Sequence, residues 1–292
     1  MNTDAVSRIP LDWPHREFSR FVSAGQLDWH LQVMGAGPVV LLLHGTGSSA
    51  HSWADVMPRL AKTCTVIAPD LPGHGATRGA TRATLTLPRI ASELDLLLRE
   101  LGITSPAVVV GHSAGAALAL RWLLGTRNRP RAMVGFNPSL IPPPALYMKL
   151  IAPIVTPVAT SPRVASALAS LAARTFLVRR LLASTRSALS ERQRARYTAL
   201  FSNPAHVRGT LEFMAGADLQ AILDDARTLT IPMTFVVASR DAWVPERRLR
   251  RVIARALPTA HLVGREGGHL WHEEAPAAAA ALIRSVLESE LD

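Results

Sequence analysis

"VVVGHSAGAALAL", residues 108–120, joins an apolar run to an alanine-rich run, with one serine between two glycines at the junction. The first run is β-branched and apolar without alternation, which is typical of a strand buried on both faces of a parallel sheet. The second run, from Ala114 to Leu124, favours a helix. Sterics explain why glycine occupies positions 111 and 115: a side chain at Gly111 or Gly115 would collide with the turn or the neighbouring strand. The stretch therefore predicts a sharp strand-to-helix turn that exposes Ser113.

Short apolar runs alternate with helical runs on both sides of this junction. Two alternating segments near the N-terminus predict an antiparallel hairpin, and six later apolar runs predict further strands. Those six runs begin near residues 39, 65, 107, 132, 233 and 261, and further helices are predicted near 52–61, 88–101 and 245–256 and at the C-terminal end. The alternation predicts an α/β fold with a mostly parallel eight-stranded sheet and helices on both faces.

The alternation fails between residues 139 and 228, where a proline-rich apolar stretch is followed by arginine-rich helical sequence. An insertion of this size between two strands is best interpreted as a helical lid inserted after strand 6. We therefore expect a core formed by residues 1–138 and 229–292, with residues 139–228 as the lid. Residues 140–160 carry Lys149 as their only charge, but their five prolines argue against a membrane-spanning helix.

Charge and cysteine content restrict the class of partner and the compartment. The formal net charge is +10, but the arginines are spread widely, and we find no nucleic-acid-binding motif and expect no nucleic acid partner. Residues 174–196 contain seven arginines and one acid, Glu191. A solvated helix face is one interpretation of this segment, and a basic helix facing an anionic lipid, substrate or protein is the other. One cysteine and no continuous apolar stretch in residues 1–20 favour a cytoplasmic protein, with peripheral contact to the inner membrane through the lid as a further hypothesis.

Ser113 needs partners if its hydroxyl is a nucleophile: a base, an acid that orients the base, and donors for the developing oxyanion. After a strand-to-helix turn of this kind they are expected in the chain order serine, acid, histidine. Asp241 follows an apolar strand, although a solvated turn aspartate is its alternative interpretation, and His269 follows a glycine pair after the last strand. Asn137 closes an earlier strand, but an amide cannot supply the charge. His272 competes with His269, and its position predicts that it points along the start of a helix.

"LLLHGTGSS", residues 41–49, places a glycine-rich loop directly after a strand. Such a loop allows a backbone N–H to face the site, so the amides of Thr46 and Ala114 are the predicted oxyanion-hole donors. Loss of one such donor typically raises the barrier by about 3 kcal/mol. We expect His44 to tether the loop instead of acting as a base. The residues predicted to support the two loops are His44, Gly45, Gly47, Gly111 and Gly115.

Taken in order, these segments resemble the α/β-hydrolase superfamily, as does the turn "DLPGHGAT" at residues 70–77. The resemblance implies a Ser113, His269 and Asp241 triad that forms an acyl-enzyme. Serine at this turn argues against the haloalkane dehalogenases and epoxide hydrolases of similar fold, which carry aspartate there. "HEE" at 272–274 lacks the second histidine of a zinc motif, so we expect no metal and no cofactor.

Further blocks resemble one branch of that superfamily, the magnesium-chelatase accessory proteins of bacteriochlorophyll biosynthesis. They are "DWPHREFSRFV", "LLLHGTGSSAHSW", "GFNPSL" and "GGHLWHEEAP". This resemblance implies a role near magnesium insertion into protoporphyrin without identifying a reaction. One hypothesis is a serine hydrolase that cleaves an ester or related acyl bond, for example of an anionic porphyrin held by the apolar lid and its arginines. The other is a non-catalytic accessory protein that binds a porphyrin intermediate or magnesium-chelatase subunits.

Overall fold

The computed structural model describes residues 9–144, 149 and 152–289. Outside these residues lie the first part of the N-terminal segment 1–20, which is interpreted from its lack of an apolar stretch, and part of the apolar stretch at 140–160. Eight strands form a single sheet: β1 (Ser19–Ala24), β2 (Leu27–Met34), β3 (Val39–Leu43), β4 (Thr65–Pro69), β5 (Val108–His112), β6 (Ala132–Phe136), β7 (Met233–Ala238) and β8 (His261–Arg265). The predicted α/β-hydrolase fold with an eight-stranded sheet is confirmed.

The strands lie in the order β1-β2-β4-β3-β5-β6-β7-β8. The predicted hairpin is present because β1 and β2 pair antiparallel, β2 also pairs antiparallel with β4, and the other neighbours are parallel. Both faces of the sheet are covered. In β5, Val109 packs into one apolar cluster while Val108 and Val110 pack into the cluster on the other side. Burial on both faces explains why this strand is apolar without alternation.

Twelve helices accompany the sheet in the described residues: α1 (Met57–Leu60), α2 (Leu87–Glu100), α3 (Ala114–Gly125), α4 (Ala152–Ala159), α5 (Pro162–Arg174), α6 (Leu177–Ser184), α7 (Glu191–Phe201), α8 (Pro204–Ala215), α9 (Leu219–Asp225), α10 (Glu246–Ala256), α11 (Trp271–Glu274) and α12 (Pro276–Ser289). The helix predicted over 52–61 is wrong in extent. A 3₁₀ turn at Ala50–Trp53 precedes the one-turn α1. Pro58 explains the break, because proline is tolerated at the start of a helix and not in its interior.

Helices α4 to α9 all lie between β6 and β7, so the predicted helical insertion after strand 6 is present. The division of the chain into a core of 1–138 and 229–292 and a lid of 139–228 stays a prediction. Helices α6 and α7 share a small apolar cluster that includes Leu182 and Tyr197 and also Leu270 from the loop after β8. Within the described residues, no helix combines the length and apolar character that crossing a membrane requires.

Between β5 and α3 the backbone turns sharply, and two glycines make the turn possible. A Cβ added at Gly111 would lie 2.5 Å from the Cα of Ala116. A Cβ added at Gly115 would collide with the carbonyl oxygens of Leu43 and His44. The first turn of α3 therefore lies directly against the end of β3, and only glycine permits this approach.

Gly115→Ala should destabilise the protein by about 2–3 kcal/mol, because the collision is with backbone atoms that cannot rotate away. Gly125→Ala is the matched control at the other end of the same helix, where an added Cβ meets no atom within 4 Å. This control should be neutral or stabilising by up to about 1 kcal/mol. Urea unfolding of both variants measures the two effects. Equal stability of the two variants would contradict the steric argument.

Candidate active site

Ser113 stands alone between β5 and α3 with φ 51° and ψ −117°. A side chain in this region of backbone space typically costs about 1–3 kcal/mol and persists only where neighbours impose it. Here the Ser113 backbone N–H donates to the carbonyl of Phe136 at 3.0 Å, and the Ser113 carbonyl accepts from the N–H of Ser139 at 3.0 Å. The turn is thereby fixed to the end of β6. The hydroxyl oxygen of Ser113 lies 3.0 Å from Nε2 of His269.

His269 and Asp241 meet at the ends of neighbouring strands β8 and β7. Nδ1 of His269 lies 2.7 Å from Oδ2 of Asp241, and both side chains are buried. Because a carboxylate only accepts, Nδ1 carries the proton and Nε2 is left to accept from the hydroxyl of Ser113. Oδ1 of Asp241 accepts from the backbone N–H groups of Trp243 at 2.8 Å and Val244 at 2.9 Å. The residues predicted from chain order thus lie in one hydrogen-bonded line.

The backbone of His269 is held by side chains that the sequence did not single out for this task. The carbonyl of His269 accepts from Nδ2 of Asn137 at 2.8 Å and from Nε2 of His112 at 3.0 Å. Oδ1 of Asn137 in turn accepts from the N–H of Ala238 at 2.8 Å. Asn137 therefore connects the ends of β6 and β7 to residues 266–270, the loop after β8 that carries His269 and is called the histidine loop. The sequence signal for this role is the residue type itself. Asparagine is among the few residues that readily adopt a φ such as the 44° found at Asn137.

Neutral histidine surrounds the site. Burial, together with the nearby His272 and His269, lowers the pKa of His112 well below its ordinary value. Burial also lowers the pKa of His44 to about 3, with His74 contributing. His44 accepts from the N–H of Leu71 at 2.9 Å through Nε2, and Nδ1 donates to the carbonyl of Gly45 at 2.8 Å. His44 thus ties its own loop to the segment after β4.

Of the two predicted oxyanion donors, Ala114 follows Ser113 directly, and Thr46 follows Gly45, which lies against Ser113. Ala114 is the first residue of α3, where a backbone N–H has no acceptor within the helix. The N–H groups of Thr46 and Ala114 donate to no other described residue. A Cβ added at Gly45 would lie 3.0 Å from the Cβ of Ser113, so this loop passes directly against the serine. Gly47 in the same loop has φ 74°, which favours glycine.

His272, the competing histidine, is directed elsewhere. It lies inside α11, where burial and the nearby His269 lower its pKa to about 3. Its Nε2 lies 2.8 Å from the hydroxyl of Ser52. Ser52 gives its own proton to Glu273 at 2.6 Å, so Nε2 of His272 is the donor to Ser52. The chain therefore brings His269 and not His272 to Ser113.

A cavity of about 30 Å³ lies over His269, the hydrogen-bond partner of Ser113, and Thr46 is also among its lining residues. Its apolar and aromatic walls include Leu181, Leu182, Tyr197, Phe201, Trp243 and Leu270. The volume suits about one water molecule, whereas sites for drug-sized ligands measure roughly 300–1,000 Å³. Among the described residues, no arginine lines this cavity. The site is closed by the insertion, and its walls are apolar instead of cationic.

The segment between α6 and α7 is bonded to the histidine loop itself. The N–H of His269 donates to the carbonyl of Thr185 at 2.9 Å. The N–H of Leu270 donates to the hydroxyl of Ser187, also at 2.9 Å. Glu274 accepts from the N–H of Ala188 at 2.9 Å and from the N–H of Gly268 at 3.1 Å. Residues 185–190 of the insertion therefore form part of the wall that positions the candidate base.

A buried carboxyl joins α7 to the core below this segment. Tyr197 donates its hydroxyl proton to Oε1 of Glu273 at 2.5 Å, and Ser52 donates to the same oxygen at 2.6 Å. Gln193 donates to the backbone carbonyl of Glu273 at 3.0 Å. Burial raises the pKa of Glu273 from 4.5 to about 7, in spite of these donors. Burial and the neighbouring Glu273 raise the pKa of Tyr197 well above its ordinary value.

The sequence model of the alpha/beta hydrolase family matches residues 40–282, so the chain belongs to this family. The chain is 36% identical over 287 residues to the magnesium-chelatase 30 kDa subunit of Rhodobacter capsulatus, and the match covers 96% of this chain and 98% of that protein. Among solved structures, an alpha/beta hydrolase fold protein from Burkholderia ambifaria superimposes with a TM-score of 0.73 at 24% identity, covering 91% of this chain and 97% of that one. The epoxide hydrolase CorEH superimposes with a TM-score of 0.74 at 21% identity, covering 91% and 96%. At these identities the structural similarities establish the fold.

Glu273→Gln should change how stability depends on pH. The folded-state pKa of Glu273, about 7, lies above its ordinary value of 4.5, so the folded state binds this proton more tightly than the unfolded chain. The stabilisation from that proton is lost as the pH rises from 4.5 to 7. Glutamine keeps the accepting oxygen and never ionises. The free energy of unfolding of the variant, relative to the parent, should therefore rise between pH 5 and pH 8 by up to about 3 kcal/mol.

Urea unfolding across this pH range measures the difference. Buried histidines act in the opposite direction, since burial lowers the pKa of His44, His51 and His206 to about 3. Their stabilisation is present above pH 6.5 and lost as the pH falls towards 3, but it is common to both proteins and cancels in the difference. Glu266→Gln, at an exposed glutamate, controls for loss of one carboxylate. If the difference in free energy of unfolding between Glu273→Gln and the parent did not depend on pH, the raised pKa of Glu273 would be refuted.

Proposed function

We propose that this protein is a serine hydrolase that cleaves an ester or related acyl bond through an acyl-enzyme on Ser113. The observation that carries the proposal is the hydrogen-bonded line from Ser113 through His269 to Asp241, with separations of 3.0 and 2.7 Å. As the serine oxygen attacks the substrate carbonyl, Nε2 of His269 takes its proton. Asp241 stabilises the imidazolium that results and keeps the ring in the required tautomer.

The remaining steps use groups that surround this line. The oxyanion of the tetrahedral intermediate accepts from the backbone N–H groups of Thr46 and Ala114, whose hydrogen bonds strengthen as charge develops. Collapse of this intermediate expels an alcohol that takes the proton from His269, leaving the acyl group on Ser113. A water molecule then loses a proton to His269 and attacks the acyl carbon. The bond from that carbon to the Ser113 oxygen breaks, and His269 returns the proton to this oxygen, which releases the acid and restores the serine. Serine at this turn supports acyl transfer over epoxide or haloalkane chemistry.

The substrate must displace part of the lid, because about 30 Å³ cannot hold an acyl group with its leaving group. The apolar walls support an acyl or alcohol portion that is itself apolar. The expectation that lid arginines meet porphyrin propionates has no support in the closed cavity, where the described lining residues include no arginine. The similarity to a protein named as a magnesium-chelatase subunit supports a substrate from magnesium-tetrapyrrole metabolism.

A non-catalytic accessory role is the second candidate. The similarity to the Rhodobacter capsulatus protein extends over almost the whole of both chains, and that protein is named for an assembly instead of a hydrolytic reaction. The closed cavity is compatible with this role, since binding to magnesium-chelatase subunits requires no access to Ser113. In that case the chain would bind a porphyrin intermediate or the chelatase through its lid.

Intact-mass measurement after fluorophosphonate treatment tests for an activated serine. The parent should gain one adduct, and Ser113→Ala should gain none. His269→Gln should be labelled about 10²–10⁴ times more slowly, because the base is lost. His261→Gln is the matched control at an exposed histidine and should be labelled at the parental rate. An adduct that persists in Ser113→Ala would exclude Ser113 as the nucleophile.

Cells that carry only Ser113→Ala distinguish the hydrolase from the accessory role. If hydrolysis is the physiological function, these cells should lose formation of the magnesium-porphyrin product at normal protein levels. Parental pigment formation in these cells would support the accessory role. Immunoblotting establishes that the variant accumulates to the parental level.

A further inference from the structure

Helices α4, α5 and α6 present an unusually apolar outer surface. Helix α4 is mostly apolar, yet none of its described residues is buried, and Ile154 is 73% exposed. Among the described residues, the exposed large apolar side chains of these three helices and the turn between α5 and α6 are Ile154, Val155, Val158, Leu171, Phe176, Leu177 and Leu181. Helix α5 contacts both α4 and α6. We call these seven residues the outer lid face. An apolar surface concentrated in one segment indicates an interaction site.

The charge around the outer lid face has a single sign. Residues 139–190 contain six basic residues and no acid. The side chains of Arg163, Arg174 and Arg186 form no ion pair or hydrogen bond with any described residue. Glu191 is the first acid after this segment, and its exposed carboxylate pairs with both Arg179 at 3.3 Å and Arg194 at 3.1 Å. The positive charge is therefore largely uncompensated within the chain.

A cleft of about 330 Å³ opens between α6 and α7. Arg179, Arg180 and Arg194 line it together with the apolar side chains of Leu182 and Leu189. Guanidinium groups above apolar walls suit an amphiphile whose anionic head is a phosphate. Arg180 also lies 4.5 Å from the ring of Phe176, so a cation and an exposed aromatic side chain occupy the same part of the surface.

We propose that the outer lid face docks on an anionic phospholipid bilayer. Its apolar side chains enter the boundary between headgroups and acyl chains, and the arginines around them contact lipid phosphates. A lipid surface fits better than a protein partner, because the cations are spread over several helices without an accompanying pattern of acids. It also fits better than a substrate, since no arginine of the described residues lines the cavity over His269.

Docking would bring the bilayer next to the candidate active site. Leu181 belongs to the outer lid face and also lines the cavity over His269. An apolar substrate dissolved in the membrane would then reach the site without crossing water. The docking surface does not depend on the proposed hydrolysis, because none of its residues belongs to the hydrogen-bonded line from Ser113 to Asp241.

Vesicle co-sedimentation of the full chain tests the proposal. The parent should bind vesicles of phosphatidylcholine with about one third phosphatidylglycerol, and should bind neutral phosphatidylcholine vesicles far more weakly. Arg179→Gln with Arg180→Gln should weaken binding to the anionic vesicles by about 30-fold, as expected for two cations near the surface. Ile154→Ser with Val158→Ser should weaken it by about tenfold or more. About 0.5 M salt should remove the preference for anionic lipid.

Arg247→Gln with Arg248→Gln is the matched control, since it removes the same charge from an adjacent exposed pair on α10 of the core. This control should bind within about threefold of the parent. Ser113→Ala should bind as the parent does, which separates docking from catalysis. Equal weakening by the control and the lid pair would show non-specific attraction and overturn the proposal. Absence of binding to both vesicle types by the folded parent would also overturn it, and would leave the face to a protein partner.

Discussion

Contact between the first turn of α3 and the end of β3 is the constraint on which the rest of the site depends. A side chain at Gly115 would meet the carbonyl oxygens of Leu43 and His44, and glycine alone avoids this collision. The close approach brings the loop after β3 against Ser113 and leaves the first N–H of α3 unpaired. Strain at Ser113 is the local cost of this geometry, and the hydrogen bonds to β6 hold it in place.

Contacts from several elements hold the histidine loop in one shape. They come from the ring of His112 at the end of β5, the amide of Asn137 after β6, and the insertion at Thr185. Each contact fixes the backbone of His269 and leaves its ring free to exchange protons. Buried polar groups of this kind are worth most when every partner is present, because the low dielectric strengthens satisfied hydrogen bonds and penalises unpaired groups.

Local sequence predicted the parts of the fold and candidate site that depend on local physics. The continuous apolar run of β5 indicated burial on both faces, and the chain order of Asp241 and His269 placed them at neighbouring strand ends. The apolar pattern over 52–61 predicts a longer helix than the structure has, because Pro58 confines the α-helix to residues after the 3₁₀ turn. Pairings across long separations had no local signal, and Tyr197 and Glu273 are 76 residues apart. Composition also could not show which way the lid arginines point, because helix orientation is set by packing.

The bonds between residues 185–190 and the histidine loop divide the insertion into two mechanical parts. One part, from Thr185 through α7, is fastened to the core by backbone hydrogen bonds and by the Tyr197 contact with Glu273. The other part, α4 to α6, packs on α7 and α8 mainly through apolar side chains, and at its end the ring nitrogen of Trp243 donates to Ser184 at 3.0 Å. Movement of the first part would pull on the backbone of His269, whereas no described residue of α4 or α5 is hydrogen-bonded to the histidine loop. Apolar contacts can slide without breaking hydrogen bonds, so α4 and α5 can shift while the proton-transfer groups stay aligned, and admission of a ligand is mechanically separable from alignment of the base.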